Sequence, residues 1–259
     1  MQQLRLFFIA LQFFTRLPIP RWVGFQPEWL QHASRYFPLV GCVVAAVAAG
    51  VYTLAALFLP APLAAVLSTA ASIYVTGAFH EDGFADTCDG LGGGMTRERV
   101  LEIMKDSRVG AYGAIGIVCM LGVKCTALAM LPPSSAIAAL FLAHPLSRLA
   151  ATSLIWRMDY AREQGKAKPL AQQMGNSEFA IAAFTALLPG AVLVASGLLI
   201  FAWLAACIAA AALCTFWLAR KFQARLQGFT GDCLGAVQQL AEVAIYLVIV
   251  ASLGHAAIA

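Results

Sequence analysis

This chain carries little charge. Lys, Arg, Asp and Glu make up 12% of its 259 residues against 61% apolar residues, and the mean hydropathy is +0.79. A soluble domain carries about a quarter charged residues, so the composition excludes a water-covered globule and points to a bilayer. The basic residues are scattered through loops with no patch interleaved with aromatics, which excludes nucleic acid as a partner. The seven cysteines form no CxxC and no Cys/His spacing suited to zinc. Most lie in apolar runs as small hydrophobes, with Cys88 and Cys233 the exceptions by location. No Ser-His-Asp or Cys-His nucleophile motif is visible. No small-residue cleavage site follows the apolar stretch Leu4–Phe14. That stretch is too short to span and reads as an interfacial or re-entrant helix rather than a signal peptide. No sustained repeat and no linker divides the chain, so residues 1–259 form one integral membrane domain.

What the chain does have is a series of apolar runs close to the ~20 residues that cross a bilayer. They are Leu39–Leu59, Ala61–Phe79, Gly110–Leu131, Ser135–Trp156, Phe179–Leu199, Ile200–Leu218 and Leu234–Leu253. The expected fold is all-α: a polytopic membrane helix bundle of about seven transmembrane helices plus the N-terminal interfacial helix. If these spans alternate, one side collects Arg5, Arg16, Arg21 and Arg35, then Arg97, Arg99, Lys105 and Arg108. Arg157, Arg162, Lys166, Lys168, Arg220, Lys221 and Arg225 fall on the same side. The connections at Pro60–Pro62, Pro132–Ser134 and near Leu199, and the C-terminal tail, carry no Lys or Arg. The positive-inside rule then makes the loops near 80–110, 157–178 and 220–234 cytoplasmic.

The acidic residues are concentrated rather than spread. Glu81, Asp82, Asp86, Asp89, Glu98, Glu102 and Asp106 are seven of only 13 carboxylates. If the second span continues as a helix past Phe79, Asp82, Asp86 and Asp89 are spaced i, i+4, i+7 and point within about 60° of one another. Three unpaired carboxylates on one stripe repel, so a divalent cation, a basic partner or raised pKa values must compensate. Carboxylate-only ligation completed by substrate phosphates is the Mg²⁺ pattern. Asp82, Asp86 and Asp89 are the candidate ligands, with Glu81 about 100° away in a supporting position. A solvated acidic loop is the bland alternative. His80 is the candidate proton acceptor; His32 and His255 stand apart as incidental. The run Gly92-Gly93-Gly94 breaks the helix and could wrap a phosphate.

Lys105, Asp106, Ser107 and Arg108 stand at the entrance of the third span, where two cations, a hydroxyl and a helix N-terminus suit phosphate oxygens. Plain positive-inside anchoring explains the same residues. Arg97 is a further candidate at the substrate, although anchoring or loop ion pairing fits it and Arg99 better. A third polar island, Gly228 to Gly235, offers Thr230 and Asp232 at the start of the last span. Asp232 is expected either to join the aspartate stripe as a catalytic carboxylate or to cap the helix. Lys124, Arg148 and Glu242 lie inside spans, where ionisable groups are functional candidates by default. A buried structural pair of Glu242 with Lys124 or Arg148 is preferred over a substrate role.

These residues carry a resemblance. HEDGFADTCDG (His80–Gly90) followed by RERVLEIMKDSRVGAYG is similar to the signature of the cobalamin synthase family, the adenosylcobinamide-GDP ribazoletransferases. FFTRLPIP (Phe13–Pro20), RYFPLVG (Arg35–Gly41) and GFTGDCLGA (Gly228–Ala236) support it across nearly the full chain. The resemblance implies a multi-pass enzyme of the bacterial inner membrane that uses Mg²⁺. It would join adenosylcobinamide-GDP to α-ribazole, or its 5′-phosphate, and release GMP. The expected partners are those small molecules and the lipid bilayer, with a homo-oligomer left open. Two rivals remain at this point. One is another Mg²⁺-dependent membrane transferase acting on a diphosphate, since Asp82–Asp86 is a DxxxD and Asp159–Glu163 loosely echoes a second; a CDP-alcohol phosphotransferase would need a spacing the chain lacks. The other is a transporter with Lys124, Arg148 and Glu242 along its pathway.

Overall fold

The computed structural model describes residues 1–24, 26–162 and 174–256. Its elements are α1 (Gln2–Phe14), α2 (Pro27–Ala33), α3 (Phe37–Ala56), α4 (Ala61–Thr76), α5 (Phe79–Gly93) and α6 (Arg97–Ile103). They continue with α7 (Ala111–Met130), α8 (Pro133–Arg157), α9 (Asn176–Ala195), α10 (Phe201–Leu226) and α11 (Gly231–Ala256). Proline opens α2, α3, α4 and α8 in the first turn, where its missing N–H has no intrahelical acceptor to lose. Lys166, Lys168 and Glu163 lie outside the described residues.

Six helical segments are long and apolar enough to cross a membrane singly, while α4 and α5 reach that measure only together, bent by 90°. Side-chain contacts decide how the bent pair counts. Arg35 pairs with Glu178, which puts the start of α3 beside the start of α9. Trp156 Nε1 donates to Asn176 Oδ1 at 2.8 Å and adds the end of α8. Arg97 donates to the carbonyls of Leu226 and Ala161, both at 2.8 Å, and adds α6 and the end of α10. Since the starts of α3 and α6 share one end of the bundle, α4 and α5 jointly return the chain across it. Among the described residues the bundle therefore has seven crossings, one of them broken, and its basic residues gather at one end. At 13 residues, α1 is about 20 Å long and does not cross.

The helix expected to run on through Phe79 is interrupted. The second span does not continue as a helix past Phe79. It stops at Thr76, and both Gly77 and Ala78 adopt left-handed backbone, with φ of 66° and 59°. Gly77 does so without a Cβ penalty; Ala78 is a non-glycine in the same region. The break is fastened to the N-terminal segment, where the Arg16 N–H donates to the Val75 carbonyl at 2.8 Å and the guanidinium lies over Tyr74. Because α5 restarts at Phe79, the three aspartates still share one helix.

The best-buried spans are α8 and α11, with 72% of each span window inside the protein against 22–39% for α3, α7, α9 and α10. The central pair accordingly holds many of the interior polar groups, with Lys124 reaching in from α7 and His80 and Glu81 from α5. At the crossing of α3 and α8, a Cβ on Gly41 would come within 2.7 Å of the His144 carbonyl and 2.8 Å of the Pro145 Cα. Backbone packs on backbone there, as is usual for helices in lipid.

Candidate active site at the basic end of the bundle

Helix α5 presents two faces. Asp82 is exposed, Asp86 half-buried and Asp89 buried along the stripe, and His80 is about 200° round the axis from Asp82. His80 stacks on Phe14, with ring centroids 5.5 Å apart and planes within 14°, and is buried. It borders an internal cavity with Arg148 and Glu242, away from the aspartates. Glu81 also turns inward, its Oε1 accepting from Gln239 Nε2 at 2.8 Å while its Oε2 is buried without a partner.

Asp89 has a different environment from the other two aspartates. Its Oδ2 accepts the Gly110 N–H at 2.7 Å and its Oδ1 the Gly113 N–H at 2.8 Å. Those are the N-cap and third residues of α7, so the Asp89 carboxylate caps α7 from a neighbouring helix, filling orphan donors at the positive end of its dipole. A Cβ on either Gly110 or Gly113 would collide with this carboxylate.

Asp232 comes to the stripe from the start of α11. A Cβ on Gly83 would lie 3.0 Å from the Asp232 Cα, so the two helices meet at their backbones. Asp232, Asp82 and Arg162 all lie within electrostatic range of Asp86. Asp232 Oδ2 accepts from Arg162 Nη2 at 2.9 Å and from the Thr230 hydroxyl at 3.2 Å. Thr230 is buried, and its hydroxyl also accepts the Cys233 N–H at 3.4 Å. The capping contact at this helix start is therefore made by Thr230, not Asp232. Arg162 is held in place by a short parallel pairing: the Phe229 N–H donates to the Asp159 carbonyl at 2.9 Å and the Ala161 N–H to the Phe229 carbonyl at 2.8 Å. Gly228 permits that approach, because a Cβ there would strike the Asp159 carbonyl. The sequence signalled the glycine but not the pairing, and so left Arg162 among the general loop cations.

The other candidates sort by position. Lys105, Ser107 and Arg108 are exposed on the turn between α6 and α7, next to Gly110. Arg108 Nη2 pairs with Asp106 Oδ2 at 2.6 Å, and these bonds hold the Asp106 carboxyl down at about 2. Arg97 lies with its guanidinium on two backbone carbonyls as a tie between segments. Gly92 and Gly94 are packed against the Tyr112 ring and Val100, which accounts for two glycines of the run by close packing. Deeper in the bundle, Lys124 Nζ and Glu242 Oε1 pair at 2.8 Å with side chains only 2% and 1% exposed. Gln238 and Tyr246 also donate to Glu242, at 2.6 and 3.0 Å. Arg148 Nη1 donates to the His144 carbonyl at 3.0 Å. Among the described residues the Arg148 Nε and the His144 Nε2 beside this pair have no hydrogen-bond partner. His32, expected to be incidental, bonds Glu178 at 2.7 Å.

The oxygen set at the rim can be tested against Mg²⁺. Among the described residues no group of three His, Cys, Asp or Glu side chains is placed to hold a metal by itself. Asp82, Asp86 and Asp232 suit an ion that takes one or two carboxylates and completes its shell from substrate phosphates and water, which is the habit of Mg²⁺.

Fold and site together define a polytopic helical membrane enzyme whose polar rim gathers carboxylates around one arginine. The family profile for cobalamin-5-phosphate synthase matches residues 6–250. A protein of Leptothrix cholodnii named adenosylcobinamide-GDP ribazoletransferase is 51% identical over 253 residues, covering 94% of each chain. Proteins of that name from Shewanella frigidimarina and Vibrio cholerae are 45% and 43% identical, each over 262 residues. Those alignments cover 97% and 98% of this chain and 96% of each relative. No solved structure matches. The chain belongs to the cobalamin-5-phosphate synthase family and is a transferase of cobalamin biosynthesis.

Proposed function

We propose that the chain joins adenosylcobinamide-GDP to α-ribazole, or its 5′-phosphate, at the rim formed by α5 and the start of α11, releasing GMP. The observation that carries this reading is the close approach of the Asp232 backbone to Gly83 of α5, which brings Asp232 and its partner Arg162 within electrostatic range of the aspartate stripe. The ribose 3′-hydroxyl oxygen attacks the phosphorus attached to cobinamide. The bond from that phosphorus to the bridging oxygen breaks, and the bridging oxygen leaves with GMP. Asp232 orients the hydroxyl and takes its proton. Arg162 exchanges the Asp232 carboxylate for the diphosphate, which suits a guanidinium fork. One or two of Asp82, Asp86 and Asp232 would hold Mg²⁺, with substrate phosphates and water completing its shell. The ion, when bound, neutralises charge on the diphosphate and the departing GMP. Lys105, Ser107 and Arg108 contact outlying phosphate oxygens, and Asp89 keeps α7 seated so that their turn stays at the rim. The basic end faces the cytoplasm of a bacterial inner membrane, by the positive-inside rule.

The test is GMP release by purified protein in lipid, supplied with adenosylcobinamide-GDP. Release should need both α-ribazole, or its 5′-phosphate, and Mg²⁺. Release at the same rate without the ribazole acceptor would mean hydrolysis and overturn the transfer reading, and release undiminished by chelation would remove the metal from it.

A further inference from the structure

Along the flank of α8, between Phe179 of α9 and the face of α10 that carries Ile208, Ala212 and Phe216, runs a groove of about 370 Å³. Its lining is apolar apart from Ser153, Thr215 and Arg157. The two hydroxyls are engaged within their own helices: Ser153 donates to the Ala150 carbonyl at 2.6 Å and Thr215 to the Ala211 carbonyl at 2.7 Å. Along its length, then, the groove suits a hydrocarbon and not a polar ligand. Ile208 and Phe216 are open to the surroundings, so in a bilayer the groove faces the acyl layer.

At the basic end the chemistry changes. Arg157, an exposed residue of the lining, lies over the Trp156 ring at 3.6 Å from its centroid. Trp156 itself is stacked on Phe179 at 4.1 Å and hydrogen-bonded to Asn176. On the opposite wall, Arg220 lies over the Phe216 ring at 6.0 Å. Among the described residues neither arginine has a carboxylate within ion-pair distance, whereas Arg35, Arg99, Arg108 and Arg162 each do. Arg157 thus lines the basic end of an acyl-sized slot, and Arg220, over the lining residue Phe216 and next to the lining residue Ala219, stands just beyond it.

We infer that this groove is a binding site for an anionic glycerophospholipid, with one acyl chain along α8 and the phosphate between Arg157 and Arg220. Arginine grips phosphate oxygens with paired donors, and a chain in the slot covers apolar surface that the helices leave uncovered. The occupant comes from the leaflet at the basic end, where anionic headgroups attract cations.

The experiment is native mass spectrometry of the purified chain after exchange into detergent containing dioleoylphosphatidylglycerol, or dioleoylphosphatidylcholine as the comparison. One phosphatidylglycerol should survive delipidation per chain, at about tenfold higher occupancy than phosphatidylcholine. Arg157→Gln with Arg220→Gln should cut that occupancy about tenfold, Arg157→Lys with Arg220→Lys should retain most of it, and Ala212→Trp should remove both lipids by filling the slot. If Ala212→Trp does not fold, Ile208→Trp on the same wall serves. Full occupancy in the Gln pair or in the plugged variant overturns the site, as does equal retention of the two lipids. Inorganic phosphate at millimolar concentration should leave the melting temperature unchanged; a rise matching that given by phosphatidylglycerol would assign the arginines to a soluble phosphate and overturn the lipid.

Discussion

Arg162 Nη2 stands 2.9 Å from Asp232 Oδ2, and the two residues are 70 positions apart in sequence. A lone carboxylate at a helix start would ordinarily be read as a cap. Here Thr230 makes the capping contact, which leaves Asp232 free for chemistry.

Asp232→Asn separates those roles. A lost cap costs about 1 kcal/mol, and Asn largely replaces it. A lost proton acceptor and metal ligand should instead lower turnover at least about a hundredfold. Expected is a melting temperature near that of the unsubstituted chain with GMP release nearly abolished; a stable and active variant would reduce Asp232 to a strut for Arg162.

Asp89 should behave unlike its neighbours on the stripe. Its two N–H bonds hold α7, so Asp89→Asn should lower the melting temperature, by an equivalent of about 1–2 kcal/mol, and leave measurable turnover. Asp82→Asn and Asp86→Asn should show the opposite pattern, with intact stability and lost Mg²⁺-dependent activity. An Asp89→Asn variant of unchanged stability and no activity would return Asp89 to the metal.

Gly83→Ala tests whether backbone contact sets the spacing of the carboxylates. The added methyl would meet Asp232 at 3.0 Å, whereas one at Gly122 meets nothing within 4 Å. The first change should cost about 1–3 kcal/mol and most of the activity, and Gly122→Ala should be close to silent in both. Equal behaviour of the two would show that α5 and α11 yield to the methyl.

The buried pair Lys124–Glu242 should show strong coupling. Lys124→Met or Glu242→Met alone leaves an uncompensated interior charge and should destabilise by about 3–5 kcal/mol. Joining Lys124→Met to Glu242→Met should recover much of that loss. Thermal unfolding in one detergent, read as a double-mutant cycle, measures the coupling; simple additivity would mean that the two charges are solvated separately.

Single cysteines in a cysteine-free background test the seven crossings. Ser107→Cys and Ser177→Cys should react with an impermeant maleimide from the cytoplasmic face, and Ser134→Cys and Ser196→Cys from the other. Opposite reactivity of Ser107→Cys and Ser177→Cys would break the end-to-end assignment on which the count of seven rests.

The span pattern was legible because seven apolar runs are a property of local composition, and the stripe because Asp82, Asp86 and Asp89 repeat with the helix period. What local pattern could not supply is the neighbour of each residue. Asp89 has the same spacing as Asp82, but α7 packs against one end of α5 and turns that carboxylate into a cap. Ala78 gives no sign of its left-handed backbone, so the right-angle break between α4 and α5 is not legible in the sequence. Arg162 joins the site through a pairing with residues near 229, a contact between distant segments that no periodicity encodes. Arg97 reads from the sequence as an anchor or loop partner more than as a substrate contact, but local pattern does not name its partners, the carbonyls of Ala161 and Leu226.

The Lys124–Glu242 pair also bears on the order in which the protein can be built. Helix α7 carries its ammonium into the membrane well before α11 is synthesised, and a lysine at mid-helix costs about 2.5–3.5 kcal/mol on insertion. Until the last helix arrives with Glu242, that charge has to be sheltered by water, by lipid headgroups or by the insertion machinery. Nascent chains halted before α11 should therefore be held at the translocon or degraded, and the final helix would act as the checkpoint that releases α7 into the bilayer.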